Sequence, residues 1–267
     1  MKNTPFIAVT SQPVPYHADT TAIFNTLCKQ NSNSLLLDSA EIGSKNSLQS
    51  LILINAAVKI TCLGNQVTFR ALNANGKQVL NEIHPVLSQL GTVSAVNFEN
   101  EFSVQFAPLD NQLDEDSKLQ AATIFDGLRV ISNHYQHSST PVFLGGLFAY
   151  DLVANFIPMQ GVELKDDGIN CPDYSFYLAE NLITIDHQSQ QATLKSFCFS
   201  QEEQVEVAKT ALSIAQKLKN IDGVFSIKAA SDEVNTNFED PEFIGIVKAL
   251  KHHINIGDVF QIVPSRR

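Results

Sequence analysis

An α+β fold built on antiparallel strands is what this sequence predicts, and three observations predict it. Residues 58–71 alternate apolar and polar on both sides of a Gly64-Asn65 turn. Residues 182–199 repeat that alternation around a polar loop from His187 to Gln191. Between and after the two hairpins, apolar residues recur at helical spacing behind acidic or capping starts.

Taken in order, Pro13 and Pro15 close an extended start. Asp19 and Thr20 are placed to cap a helix with Ile23, Phe24 and Leu27 on one face, ended by the polar run from Lys29 to Ser34. Leu35, Leu36 and Leu37 read as a short buried strand closed by Asp38-Ser39. Val58, Ile60 and Cys62 alternate with Lys59 and Thr61, and beyond the turn Val67, Phe69 and Ala71 alternate with Thr68 and Arg70. Asn73 to Gly76 reads as the end of that hairpin. Asp114, Glu115 and Asp116 open a helix carrying Leu119, Ala122, Phe125 and Leu128, because carboxylates suit the unpaired N–H groups of a first turn. Gly145-Gly146 lies inside the apolar run Val142 to Phe148, where glycine marks a close backbone approach.

Glu202 and Glu203 open a helix to about Lys219, with Val205, Ala208, Leu212, Ala215 and Leu218 as its inner face. Residues 230–240 are polar without a period, as a linker would be. Asp240 then reads as an N-cap, Pro241 as the first helical residue and Gly257 as the stop, with Phe243, Val247, Leu250 and Ile254 along one face. His252 and His253 read as partly exposed side chains near that helix's C-terminus. Val259 to Val263 reads as a strand that finds no partner before Arg267, so the chain is expected to be the front part of a larger enzyme.

Composition narrows the function. The 267 residues carry a formal net charge of -10, which is the wrong sign for a nucleic-acid surface or an anionic membrane. No stretch has the roughly 18 apolar residues of a membrane span, and the N-terminus lacks the pattern of a signal peptide. A cytoplasmic location is therefore expected. Cys28, Cys62, Cys171 and Cys198 form no CxxC pair and read as buried small hydrophobes in a reducing compartment. P-loop, GxGxxG, HExxH and GxSxG patterns are absent, which removes the commonest nucleotide, zinc-protease and serine-hydrolase readings.

Asp38-Ser39 is the candidate site. A carboxylate and a hydroxyl at a strand end can both accept hydrogen bonds from the ammonium of a small amino acid. The same pair can instead cap its own backbone in a strand-end turn. Chemistry alone leaves both readings open.

The stretch Leu35-Leu36-Leu37-Asp38-Ser39-Ala40-Glu41-Ile42 resembles the tryptophan-regulation motif of anthranilate synthase component I. The region from Ser50 to Leu72, Phe143 to Asp151, Asn170-Cys171-Pro172-Asp173 and Leu182 to His187 resemble the same family, in the same order. The end of the chain, Gly257 to Arg267, is similar to the opening of the family's chorismate-binding domain.

The resemblance implies antiparallel sheets packed together with helices outside. It also implies an activity: chorismate and ammonia become anthranilate and pyruvate in tryptophan biosynthesis, with Mg²⁺ at the substrate carboxylate. The ammonia comes from glutamine through an amidotransferase partner, component II, and L-tryptophan inhibits at a separate site. It implies a division into a regulatory region over 1–229, a linker over 230–240 and the incomplete start of the chorismate-binding domain over 241–267. Catalytic and Mg²⁺-binding residues are expected beyond Arg267, so none is assigned here. Ser39 is carried over as a tryptophan contact, with Asp38 beside it. Asp38 departs from the family pattern, which has glutamate there, and a carboxylate one methylene shorter is expected to weaken inhibition. Aminodeoxychorismate synthase component I, a sister family, and a non-catalytic amino-acid-binding module are the rival readings.

Overall fold

Alternation along one long strand organises the first half of the molecule. The computed structural model describes residues 5–29, 31–38, 48–97, 100–108, 110, 113–157, 171–221 and 236–266. It divides into two units, 1–225 and 226–267. The first runs β1 (Ala8–Val14), α1 (Thr20–Cys28), β2 (Leu35–Asp38), β3 (Gln49–Leu63), β4 (Gln66–Ala71), α2 (Ala74–Leu87), β5 (Thr92–Asn97), β6 (Glu101–Gln105), α3 (Glu115–Gln120) and α4 (Asp126–His134). It continues with β7 (Leu144–Phe148), a 3₁₀ turn (Tyr150–Asn155), β8 (Tyr174–Asp186), β9 (Gln191–Cys198) and α5 (Gln204–Leu218).

The α+β class holds, and the nine strands join into one sheet of order β1-β9-β8-β3-β4-β6-β5, with β2 also on β3 and β7 also on β8. Every pairing is antiparallel. β3 and β8 form the spine. Each changes partner half-way: β3 meets β2 over Ser50 to Leu53 and β4 over Val58 to Leu63. β8 meets β9 over Asn181 to Asp186 and β7 over Tyr174 to Leu178. The change falls at register shifts between Leu53 and Val58, where a bulge bends the strand. An amide ladder crosses the sheet at that level. Asn31 donates to the Ile54 carbonyl at 2.6 Å, Asn55 to Asn181 at 3.1 Å, and Asn181 to the buried Ser196 hydroxyl at 2.8 Å. These bonds satisfy polar groups that burial would otherwise penalise.

Two cores result. The larger takes Val58, Ile60, Val67, Phe69 and Phe102 from the sheet, and Val79, Leu80 and Ile83 from α2, all essentially buried. The smaller packs Ile23, Ala211, Ile214 and Leu218 of α1 and α5 against Ile52, Ile54, Ile183 and Leu194. Each such side chain gains roughly 1.5–3 kcal/mol on full burial, so the two cores fix which helix lies on which part of the sheet.

The expected hairpins are present. Cys62 faces Val67 and Ile60 faces Phe69, with Gly64 in the left-handed region at φ 56°. Asp19 caps α1, its carboxylate accepting the Ala22 N–H at 2.8 Å. The backbone approach expected at Gly146 is also present, since a Cβ there would stand 2.2 Å from the Ser175 carbonyl oxygen.

Other expectations need correction. Asn73 to Gly76 ends the hairpin as expected, but it does so by starting a helix that the sequence reading did not include. Asn73 is the N-cap of α2, its side chain accepting the Gly76 N–H at 2.8 Å. The helix expected from Asp114 through Leu128 is two: Ala121 turns extended, and α4 starts anew after Phe125, with Asp126 in its first turn accepting the Thr123 N–H at 2.7 Å. α5 turns inward a face roughly a quarter-turn round from the expected one, burying Val207, Ala211, Ile214 and, as expected, Leu218, while Val205 and Leu212 stay exposed. Apolar residues occupy both faces, and the sheet selects the one with the bulkier isoleucine. Three cysteines are buried as expected, but Cys171 is exposed ahead of β8. Burial pushes the Cys62 thiol up to about 12 and Cys28 up to about 11, so neither forms a reactive thiolate near neutrality.

The second unit holds α6 (Asp240–Asn255), which stops at Gly257 with φ 85°. Its N-cap is Glu239 without a side-chain bond, not Asp240, whose carboxylate instead accepts from Arg266 at 2.6 Å. Residues 259–263 are not a strand. A strand needs a hydrogen-bonded neighbour, and none reaches them among the described residues; Phe260 is fully exposed. His252 and His253 are exposed, His253 Nδ1 lying 2.8 Å from the Asp258 carboxylate. Among the described residues no helix is long and apolar enough to cross a membrane.

Candidate functional site

Asp38 closes β2, and strand register decides what it meets. Leu35 to Asp38 pairs with Leu53 to Ser50, which sets Asp38 opposite Ser50. The Ser50 hydroxyl, fully buried, donates to Asp38 Oδ1. Thr20, at the first turn of α1, donates through Oγ1 to Asp38 Oδ2 at 3.1 Å. Both carboxylate oxygens are thus held by hydroxyls from two other elements.

Behind Ser50 stands a histidine. His187 Nε2 lies 2.8 Å from the Ser50 hydroxyl, and His187 Nδ1 lies 3.2 Å from the Tyr16 hydroxyl. The Tyr16 and His187 rings meet edge to face at 5.8 Å. The His187 backbone N–H donates to the Leu48 carbonyl at 2.9 Å, which ties the β8–β9 turn to the start of β3. Asp186 stiffens that turn by accepting the N–H groups of Ser189 and Gln188, and these bonds, the one from Ser189 foremost, hold its carboxyl below the usual range.

A cavity of about 480 Å³ opens beside Asp38, lined by Leu36, Leu37, Gln49 and Leu51. An ionised carboxylate has about four acceptor positions, and the two hydroxyls occupy one on each oxygen. The remainder, with leucine walls and one primary amide, suit a small cation carrying an apolar body. Ser39 lies outside the described residues. Sequence reasoning located Asp38 but missed Thr20, Ser50, His187 and Tyr16. The alternation read from the sequence begins at Val58, and only the β2–β3 register puts Ser50 against Asp38. His187 had read as part of a polar turn.

A second polar cluster lies within the larger core. Glu180 is buried, and its Oε2 accepts from Asn75 at 2.8 Å and Asn73 at 2.9 Å. Burial pushes its carboxyl above the usual range, and the two amides pull it part of the way back. Asn75 also donates to the Phe197 carbonyl at 3.0 Å and accepts the Phe199 N–H at 2.6 Å. This cluster joins α2, β8 and the end of β9 and opens onto no cavity described above. Among the described residues no three of His, Cys, Asp and Glu converge as metal ligands.

Known proteins resemble this chain along its whole length. It is 86% identical over 262 residues to anthranilate synthase component 1 of Haemophilus influenzae, covering 98% of this chain and 51% of that protein. It is 42% identical over 277 residues to the protein of the same name from Vibrio cholerae, covering 100% of this chain and 51% of the relative. The chain thus spans about half the length of the curated relatives it matches. A crystal structure of anthranilate synthase component I from Streptococcus pneumoniae aligns with 91% of this chain and 45% of its own, at 14% identity and a TM-score of 0.39, too slight a likeness to carry an argument. The sequence pattern of the chorismate binding enzymes matches residues 79–267, well over half of the chain, and the chain belongs to that family.

Proposed function

We propose that this chain is the front half of an anthranilate synthase component I, and that Asp38 with Ser39 forms part of its L-tryptophan site. The observation that carries the reading is the 86% identity over 98% of the chain to a protein of that name. The whole protein would convert chorismate and ammonia to anthranilate and pyruvate, with glutamine as the ammonia source through a component II partner. Mg²⁺ would screen the substrate carboxylate, and no described residue is assigned to it. The proposed division places a regulatory region over 1–229, a linker over 230–240 and the start of the chorismate-binding domain over 241–267. The separation of the chain into units 1–225 and 226–267 supports that division, while the family match from residue 79 runs across both.

In this reading the cavity beside Asp38 receives the ammonium of tryptophan on the carboxylate and its apolar body along Leu36, Leu37 and Leu51. Tryptophan inhibits by binding one global state better than another, so its effect equals its differential affinity for the two. The test is product analysis of the full-length protein supplied with chorismate, ammonium and Mg²⁺. Fluorescent anthranilate together with pyruvate is expected. An aminated product that keeps its enolpyruvyl group would overturn the reading in favour of aminodeoxychorismate synthase.

Asp38 supplies a second measurement. Extending it by one methylene, Asp38→Glu, restores the side-chain length that the family pattern has at this position, and the tryptophan inhibition curve of the full-length protein is expected to shift to lower concentration. A curve that does not move would remove Asp38 from the binding site.

A further inference from the structure

The hydrogen bonds behind Asp38 have a direction, and the chemistry of each group sets it. Ser50 has one proton, and it points at the Asp38 carboxylate, which can only accept. The Ser50 oxygen therefore accepts from His187, so Nε2 carries the ring proton across the 2.8 Å contact. In the neutral ring Nδ1 is then an acceptor, and the Tyr16 hydroxyl donates to it at 3.2 Å. Every donor runs the same way, from Tyr16 to His187 to Ser50 to Asp38. The chain gathers the loop before α1, the β8–β9 turn, β3 and β2 onto one carboxylate.

We propose that His187 is a positioning residue for Asp38, acting through Ser50, and that it thereby sets the affinity of the ammonium-bearing ligand that Asp38 holds. The proposal rests on the reading of Asp38 given above. Asp38 is exposed at a strand end, where a carboxylate left to itself rotates among several orientations. A serine hydroxyl that lacked its donor would be free to turn its own proton elsewhere. With the His187 backbone tied to the Leu48 carbonyl and its ring held by Tyr16, that proton has one acceptor and the carboxylate one orientation.

The test uses three variants of the full-length protein, with L-tryptophan as the probe in a calorimetric titration. His187→Leu removes the ring donor at similar volume, and the Kd is expected to rise about ten-fold, the upper weight of one hydrogen bond between neutral groups. His187→Gln puts an amide N–H where Nε2–H stands, and most of the lost affinity is expected to return. Asp38→Asn is expected to weaken binding further than His187→Leu. If His187→Leu leaves the Kd unchanged while Asp38→Asn raises it, the inference falls and the reading of Asp38 stands. If neither variant changes the Kd, both fall. A purely structural role for His187 would lower thermal stability equally in the leucine and glutamine variants without a matching pattern in Kd, and that result also overturns the proposal. Nitrogen-15 imidazole spectra supply a ligand-free readout: the Nε2–H tautomer is expected, and Nδ1–H would reverse the chain of donors.

Discussion

Replacing Gly76 by alanine is expected to destabilise the chain by about 3 kcal/mol or more, the upper range for atoms forced into a packed interior. For a chain of this size that corresponds to a fall of roughly 6–12 °C in the thermal midpoint, readable by circular dichroism. The added Cβ would stand 1.9 Å from the Ala57 carbonyl oxygen and 2.7 Å from its carbon. Neither side can yield cheaply. Ala57 lies at the bulge of β3, and its carbonyl already accepts the Leu72 N–H at 2.9 Å. Gly76 in turn is held by the Asn73 cap in the first turn of α2. Helix propensity works in the other direction, since alanine is the better helix former by about 1 kcal/mol. The matching control is Gly245→Ala in α6, where a Cβ meets nothing within 4 Å. There propensity acts alone, and a gain of about 0.5–1 kcal/mol is expected. A Gly76→Ala protein as stable as its parent would mean that α2 does not sit on the bulge.

Asn75→Ala is expected to cost about 2–4 kcal/mol by chemical denaturation, although the side chain removed is small. Asn75 is buried and makes three contacts at once: to Glu180, to the Phe197 carbonyl and from the Phe199 N–H. Truncation strands a buried backbone N–H and takes one of two donors from a buried carboxylate, each costing about 1–3 kcal/mol. Glu180 adds a pH signature. Its carboxyl is pushed up in the folded state, first by burial, so folding favours the protonated form. That contribution is fully present below the unfolded carboxyl value and is lost as pH rises through the folded one. Glu180→Gln keeps an acceptor for both amides and removes the titration. The variant is therefore expected to gain stability relative to its parent as pH rises from the acid range toward neutrality. A difference between the two that stays flat with pH would show that Glu180 is not forced toward neutrality by its surroundings.

What the sequence disclosed, and what it hid, follows from how local each signal is. The Asp19 cap, the Gly64 turn and the alternation from Val58 to Ala71 depend on near neighbours in the chain, and they were readable. The Asn73 to Gly76 stretch was readable as the hairpin's end but not as a helix start, because its use is an N-cap followed by a glycine that a distant carbonyl requires. The inner face of α5 was misread because both faces carry apolar residues, and only the sheet decides between them. Asp38 could be singled out, but its surroundings could not. Thr20, Ser50 and His187 come to it from 18 positions before, 12 after and, through Ser50, a further 137 beyond. No periodicity reaches so far. The chemistry of the candidate site is a product of register.

The long spine also sets a timetable for synthesis. Asn55 and Asn181, partners across it, are 126 positions apart. At translation rates of about 5–20 residues per second, β3 waits roughly 6–25 s after leaving the ribosome before β8 follows. During that interval Ile52, Ile54, Val58 and Ile60 belong to a strand with one side unpaired, open to any other strand that finds it. Nascent chains of this protein should therefore be most vulnerable to mispairing, and most in need of a chaperone, between the appearance of β3 and that of β8.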